Sequence, residues 1–194
     1  MSIAAFPRLT PDDLLRMGDE GKDFELVGGE LRRLNVSTES SRVAGKVYNR
    51  LENHCEPKNI AWVFPEGTSY QCFPDEPTRV RRPDTSLIAL ERMPPDSYED
   101  EGHCSTVPDL VVEVISIHDN ARDVEDKIEE WLAAGVKLLW EVYPNTRTVR
   151  AHRPDRTIAL FRAPDSLTAE GVLPGFACPV ADLFRLPGAS PKPS

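Results

Sequence analysis

PDLVVEVIS, residues 108–116, is an apolar run broken once by a charge, at Glu113. A β-branched run of this kind reads as a strand buried on both faces. A carboxylate inside it is costly unless a cation or hydrogen-bond donors meet it. Side chains alternate across a strand, so Val111, Glu113 and Ile115 share one side while Val112 and Val114 share the other. Glu113 therefore points with apolar neighbours toward whatever packs on its side. The fold must bring its partner there.

The next segment supplies a candidate. ARDVEDKIEEWLAAGV (121–136) has Val124, Ile128, Trp131 and Leu132 as an apolar stripe and ends at Gly135, which predicts an amphipathic helix. At about 100° per residue, Lys127 falls roughly 40° from Trp131, on the border of the stripe. Its stem can lie along the core while its amine reaches inward. KLLWEVYP (137–144) then reads as a strand. Strand, helix and strand across 108–143 predict a crossover unit with a parallel pair.

Working outward, TPDDLLRMG (10–18) predicts a short helix capped by Thr10, with Pro11 in its first turn. FELVGGELRRLNV (24–36) predicts a hairpin turning at Gly28-Gly29. Residues 40–55 predict an amphipathic helix with a serine cap, and its apolar side carries Val43, Val47 and Leu51. IAWVF (60–64), TSYQCF (68–73), VRRPDTSLIAL (80–90), RTVRAHRP (147–154) and RTIALFRA (156–163) read as strands, and residues 93–105 as an exposed acidic loop. The expected architecture is a mixed α/β domain over 1–186 with one central sheet. Residues 187–194 (PGASPKPS) read as a disordered tail.

The chain has 194 residues, 40% hydrophobic and 28% charged, which describes a globular domain. No run approaches the 18 or so apolar residues of a membrane span, and the N-terminus is unlike a signal peptide. A cytoplasmic protein is expected. A net charge of −9 excludes a simple nucleic-acid coater, so any contact with DNA must be local or metal-bridged. The four cysteines form no CxxC pair and are expected to be reduced. His54-Cys55 and His103-Cys104 could in principle make a zinc site, but their spacing matches no ligand pattern.

The second carboxylate is Asp84. RRPD and VPD each place an aspartate after a proline at the start of an apolar strand. If Asp84 and Glu113 lie on adjacent strands, about 4.8 Å apart, their charges repel and a cation between them is the natural remedy. Mg2+ or Mn2+ suits carboxylate oxygens and leaves positions for water and phosphate. A nearby lysine can stabilise developing phosphoryl charge. Asp84, Glu113 and Lys127 together suit metal-assisted phosphodiester hydrolysis. Spacing alone equally allows a structural ion pair between Glu113 and Lys127.

RRPDTSLIAL, PDLVVEVIS and the block from 121 to 144 resemble the Uma-two family, within the PD-(D/E)XK, restriction-endonuclease-like superfamily. FELVGGEL resembles the family's "YEL-(I/V)-DGEL" segment, and LPGFACPVADLF (173–184) its closing segment. The resemblance covers roughly residues 8–186. It implies a restriction-endonuclease-like sheet flanked by helices, a divalent metal on Asp84 and Glu113, a metal-shell carbonyl from Val114, and DNA as substrate. It also implies that Glu25, the "YEL" glutamate, is an additional acid near the metal. The alternative for Glu25 is a hairpin residue facing water or pairing with Arg32 or Arg33. A homodimer is a family-level expectation, with Trp140 and the strands at 137–163 as a possible edge.

The chain also departs from the pattern. Ile115 stands where the superfamily carries lysine, and in the Uma-two family the amine comes from the following helix, matching Lys127. The family's histidine near the second helix start is replaced by Ser40-Ser41-Arg42. SIHD replaces "SPSD", introducing Ile117 and His118, and Tyr143 replaces the aspartate of "VDP". These departures bear on substrate handling more than on metal binding. Arg42, Lys46 and Arg50 share a helical face and could contact phosphates or simply face solvent. His118 could touch substrate, Glu30 is expected to face water, and Trp131 and Trp140 are expected in the core. Besides an endonuclease, two readings stay open: a nuclease-fold module without turnover, and a metal-dependent hydrolase acting on another substrate.

Overall fold

The computed structural model describes residues 8–188. The chain enters through α1 (Pro11–Arg16), where Thr10 and Asp13 form a capping box and Pro11 occupies the first turn. A hairpin follows, β1 (Phe24–Val27) and β2 (Glu30–Arg33), turning at Gly28 and Gly29 with φ of 60° and 79°. Only glycine adopts that pair of left-handed conformations cheaply. Then comes α2 (Thr38–Cys55), which starts before residue 40 because Ser37, boxed with Ser40, is the cap.

Six strands make the central sheet: β3 (Ala61–Pro65), β4 (Thr85–Ala89), β5 (Leu110–Val114), β6 (Leu138–Tyr143), β7 (Thr148–His152) and β8 (Ile158–Phe161), side by side in that order. Only β5 and β6 run parallel, joined by α3 (Ala121–Ala134) as the crossover. Asn120 caps α3 by accepting from Arg122 N, and Gly135 ends it at φ 107°. The two helices take opposite faces. Val43, Val47 and Leu51 of α2 meet Val112, Val114, Trp140 and Val142, while Ile128 and Trp131 of α3 meet Val111, Leu139 and Ile88. Glu113 shares the α3 side with Val111, as strand alternation requires.

Several expectations are corrected. Residues 68–73 are not a strand: Tyr70 makes single bridges to Arg81 and Cys104, and its hydroxyl meets Ser86 Oγ at 2.6 Å. The strand expected over 80–90 begins only at Thr85, because Pro83 has no N–H for the ladder. Trp140 is fully buried in central β6 and cannot form an edge; the edge strand on that side is β8, with Ile158 and Leu160 exposed. After β8, where the sequence predicts no element, β9 (Ser166–Thr168), β10 (Ala177–Pro179) and α4 (Val180–Phe184) fold onto the α2 face. From residue 189 onward the expected disordered tail lies outside the described residues.

Asp109, the aspartate of VPD, ties the sheet together. It is 2% exposed. Its Oδ2 accepts from Ala89 N at 2.9 Å, while Oδ1 meets Arg92 and Lys137 at 2.9 and 2.8 Å through charge without an aligned hydrogen bond. Burial alone would raise its pKa. The Ala89 amide, Lys137 and Arg92 outweigh burial and hold the carboxyl below the ordinary aspartate range. The stability it contributes is therefore full above about pH 4 and lost as pH falls through the lowered folded value. Since both cations are partly exposed, Asp109→Ala is expected to cost about 2 kcal/mol in urea unfolding at pH 7, and the gap to wild type should close in acid.

Candidate functional site

The site forms where the ends of β3, β4 and β5 meet the hairpin and α3. Thr85 pairs with Val112, so one further step sets Asp84 opposite Glu113. Asp84 N donates to Val112 O at 3.1 Å, and Val114 N donates to Asp84 Oδ2 at 2.6 Å. On the other flank Pro65 pairs with Thr85, which sets exposed Glu66 level with Asp84. The proline that ends the ladder thus releases the carboxylate at the mouth of the sheet.

Lys127 reaches this point from α3. Its ammonium lies 2.8 Å from Glu113 Oε2 and 2.9 Å from Glu25 Oε1, and it donates to Arg82 O at 3.1 Å. Three acceptors thus match its three protons. Trp131, one turn further along α3, donates Nε1–H to Glu113 Oε1 at 2.9 Å. The partners that Glu113 requires are therefore a lysine and an indole on one helix. Glu25 and Glu113 are 4% and 7% exposed. Glu25 accepts from Arg82 N at 2.8 Å and from Arg81 at 2.7 Å.

The charges do not balance evenly. Burial would raise the pKa of Glu25, but Lys127 and Arg81 outweigh it and hold Glu25 below the usual carboxylate range. Burial wins at Glu113, which is raised despite Lys127, with Glu25 adding repulsion. Burial opposes the charge on Lys127, yet Glu113 and Glu25 prevail and hold it firmly as an ammonium. Among the described residues Asp84 has no such partner. Burial, then repulsion from Glu113, pushes it up to about 8.

These groups open into a cleft of about 380 Å³. Arg32 and Arg33 of β2 line it, with Glu66, Asp119, Asp123 and Asp126 also on its wall. Arg42 and Lys46 do not line it. They lie on α2 across the sheet, where Arg42 pairs with Glu39 at 2.7 Å. His118 is exposed and outside the lining. Glu30 is exposed, while Trp131 and Trp140 are core residues. Glu25 lies across the hairpin from Arg32, but its carboxylate turns to Arg81 and Lys127. Sequence reasoning missed Arg32 and Arg33 as cleft cations, Glu66, and the Arg81–Glu130 pair. The i, i+3 spacing of Lys127 and Glu130 was the available clue to the last.

The donor set suits a hard cation. Asp84 Oδ1 accepts no hydrogen bond among the described residues, while Oδ2 faces Val114 N. Neither histidine nor cysteine lines the cleft, which argues against zinc. His54 and His103 sit apart, the first beside Pro174 O and the second between Ser69 and Pro11 O. No group of three or more His, Cys, Asp or Glu positioned for a metal occurs among the described residues. Two carboxylates, a carbonyl and water fit Mg2+ or Mn2+, which commonly keep several waters.

Without metal, a raised Asp84 is a liability with a defined sign. Its cost is absent below about pH 4, where folded and unfolded carboxyls are both protonated, grows as pH rises, and is full above about pH 8. Asp84→Asn keeps an acceptor for Val114 N. In chelator at pH 8 it is expected to unfold at higher urea than wild type, by roughly 2 kcal/mol, with the difference vanishing toward pH 4. A less stable variant at pH 8 would contradict this charge accounting.

The chain matches the model of the Uma2 family, described as "Putative restriction endonuclease", over residues 11–181. No curated protein matches it. Among solved structures, the crystal structure of "a putative nuclease belonging to DUF820 from Anabaena variabilis" aligns with a TM-score of 0.75 at 20% identity, covering 91% of this chain and 97% of that one. At that identity the likeness speaks for the fold, a mixed sheet flanked by helices. No helix among the described residues is long and apolar enough to cross a membrane. The family match runs from the first helix into the last and takes in every residue of the cleft: the chain belongs to the Uma2, or Uma-two, family.

Proposed function

We propose that the protein is a Mg2+- or Mn2+-dependent endonuclease that hydrolyses phosphodiester bonds in DNA. The observation that carries this reading is the meeting of Asp84, Glu113 and Lys127 in one cleft, with Asp84 left without a cation. Asp84, Glu113 and the Val114 carbonyl would hold the ion. A bound ion would supply Lewis acidity toward a phosphoryl oxygen and lower the pKa of attacking water.

The chain's own groups have separable tasks. Trp131 and Lys127 fix the rotamer of Glu113. Lys127, held as an ammonium by two carboxylates, has no lone pair with which to take a proton. Its task is to stabilise negative charge growing on the phosphate. Arg32 and Arg33, which line the cleft, would orient the phosphodiester in place of Arg42 and Lys46. Val114, Ile115 and Ile128 give the cleft an apolar wall that limits bulk water.

One observation favours a second reading, a nuclease-fold module without turnover. Glu66, Asp119, Asp123 and Asp126 beside the cleft, in a chain of net charge −9, oppose a polyanion. Four free cysteines fit a reducing compartment, which supports a cytoplasmic location. Exposed Ile158 and Leu160 on edge strand β8 are where a second copy would pair if the chain is a homodimer.

Plasmid cleavage separates the readings. Wild type with Mn2+ is expected to nick or linearise DNA, and Asp84→Asn and Glu113→Gln to lose at least ~100-fold. Mn2+ should raise the melting temperature of wild type and leave that of Asp84→Asn unmoved. Equal trace cleavage by all three proteins would point to a contaminant and to the second reading.

A further inference from the structure

A lysine side chain has four rotatable bonds and loses considerable rotamer entropy when fixed. Lys127 is nonetheless aimed, and the residues that aim it extend well beyond Glu113. We propose that Arg81, acting through Glu25 and Glu130, is the positioning residue that fixes the Lys127 ammonium in the cleft, and that Glu25 serves this clamp and holds no metal ion.

Glu25 faces Lys127 and the two arginines. Oε1 takes Lys127 Nζ and Arg82 N, and Oε2 takes Arg81. Arg81 spreads its guanidinium between two acids: one terminal nitrogen donates to Glu25 Oε2 at 2.7 Å, while Nε and the other terminal nitrogen meet Glu130 Oε2 at 2.7 and 2.6 Å. Glu130 lies three residues after Lys127 on α3. One planar fork therefore fixes both the carboxylate that grips the amine and the helix that carries it.

The network closes on itself. Arg79 joins Glu130 to Glu76, and Glu76 Oε1 accepts from Gly28 N at 2.7 Å, in the turn of the hairpin that bears Glu25. Leu26 and Val80 exchange backbone hydrogen bonds of 2.9 and 2.8 Å, which sets Glu25 beside Arg81. From Glu113 through Lys127, Glu25 and Arg81 to Glu130, the charges alternate in sign. Packing alone would be served as well by apolar side chains. This network instead ends on Lys127, the one amine among the described residues that lines the cleft.

The test uses Arg81→Met and Glu25→Gln in the full chain, each alone and combined with Lys127→Met. The first measurement needs no activity. The metal-free protein is treated with an amine-acetylating reagent well below its melting temperature, and each lysine is read by mass spectrometry. Lys127 is expected to be protected in wild type and to approach the rate of exposed Lys22 in both variants, while Lys22 and Lys46 are unchanged. Continued protection of Lys127 in both variants would overturn the proposal.

The second measurement rests on the endonuclease reading. Arg81→Met should lower kcat by roughly 10- to 100-fold with KM little changed, and should add no further loss once Lys127 is Met. A further loss in that background would mean a general structural role and would overturn the proposal. So would loss of Mn2+-dependent thermal stabilisation in Glu25→Gln, since it would make Glu25 a ligand. If wild type cleaves nothing, the endonuclease reading falls while the labelling still decides the clamp. If Arg81→Met does not fold, Glu25→Gln decides it.

Discussion

A lysine ammonium buried between two carboxylates organises this protein. Neither Glu113 in the middle of an apolar strand nor Glu25 in the hairpin could stay ionised alone at that depth. Lys127 meets both at under 3 Å. The pair requirement forces α3 to cross the sheet with its stripe border over β5, and forces the hairpin to close from the other side. The β5–α3–β6 crossover is the scaffold that makes the meeting possible. Removing the ammonium would leave two uncompensated charges, whereas removing Asp84 relieves one.

That asymmetry separates the charges paired within the fold from the one left over. Glu25, Glu113 and Glu130 each pair with Lys127 or Arg81 within the fold. Asp84 lies level with Glu113 and, among the described residues, its carboxylate holds only a backbone amide. A carboxylate kept where burial and a neighbouring acid both oppose its charge makes physical sense beside a cation that arrives separately. On the proposed reading the acidic residues near the cleft would act in the same direction, attracting divalent ions and repelling DNA except at Arg32 and Arg33.

Much of this could be read from residues 108–144, where periodicity alone gives the strand, the helix and the direction in which Glu113 and Lys127 point. Asp84 was legible because proline interrupts its ladder at a fixed place. The rest depended on long-range contacts that carry no local period. Arg81 and Glu25 are bonded across 56 positions, and nothing near either residue announces it. Residues 68–73 alternate like a strand, yet their partner segment contains Pro83, so pairing stops at single bridges. The β9–β10 hairpin has three-residue strands and a connection containing proline and glycine, so its apolar residues show no strand period until α2 gives them a surface. Arg42 and Lys46 share a convincing basic face, but helical spacing cannot say which side of a sheet the helix will cover.

The central claim is that the leftover charge at Asp84, next to Glu113, exists to hold a divalent ion. Anomalous scattering from a crystal soaked in Mn2+ tests it most directly. A single peak within bonding distance of carboxylate oxygens of both Asp84 and Glu113, with Lys127 still on Glu25, is the predicted result. An ordered cleft with no ion between the two acids, or an ion held by Glu25 in their place, would contradict it.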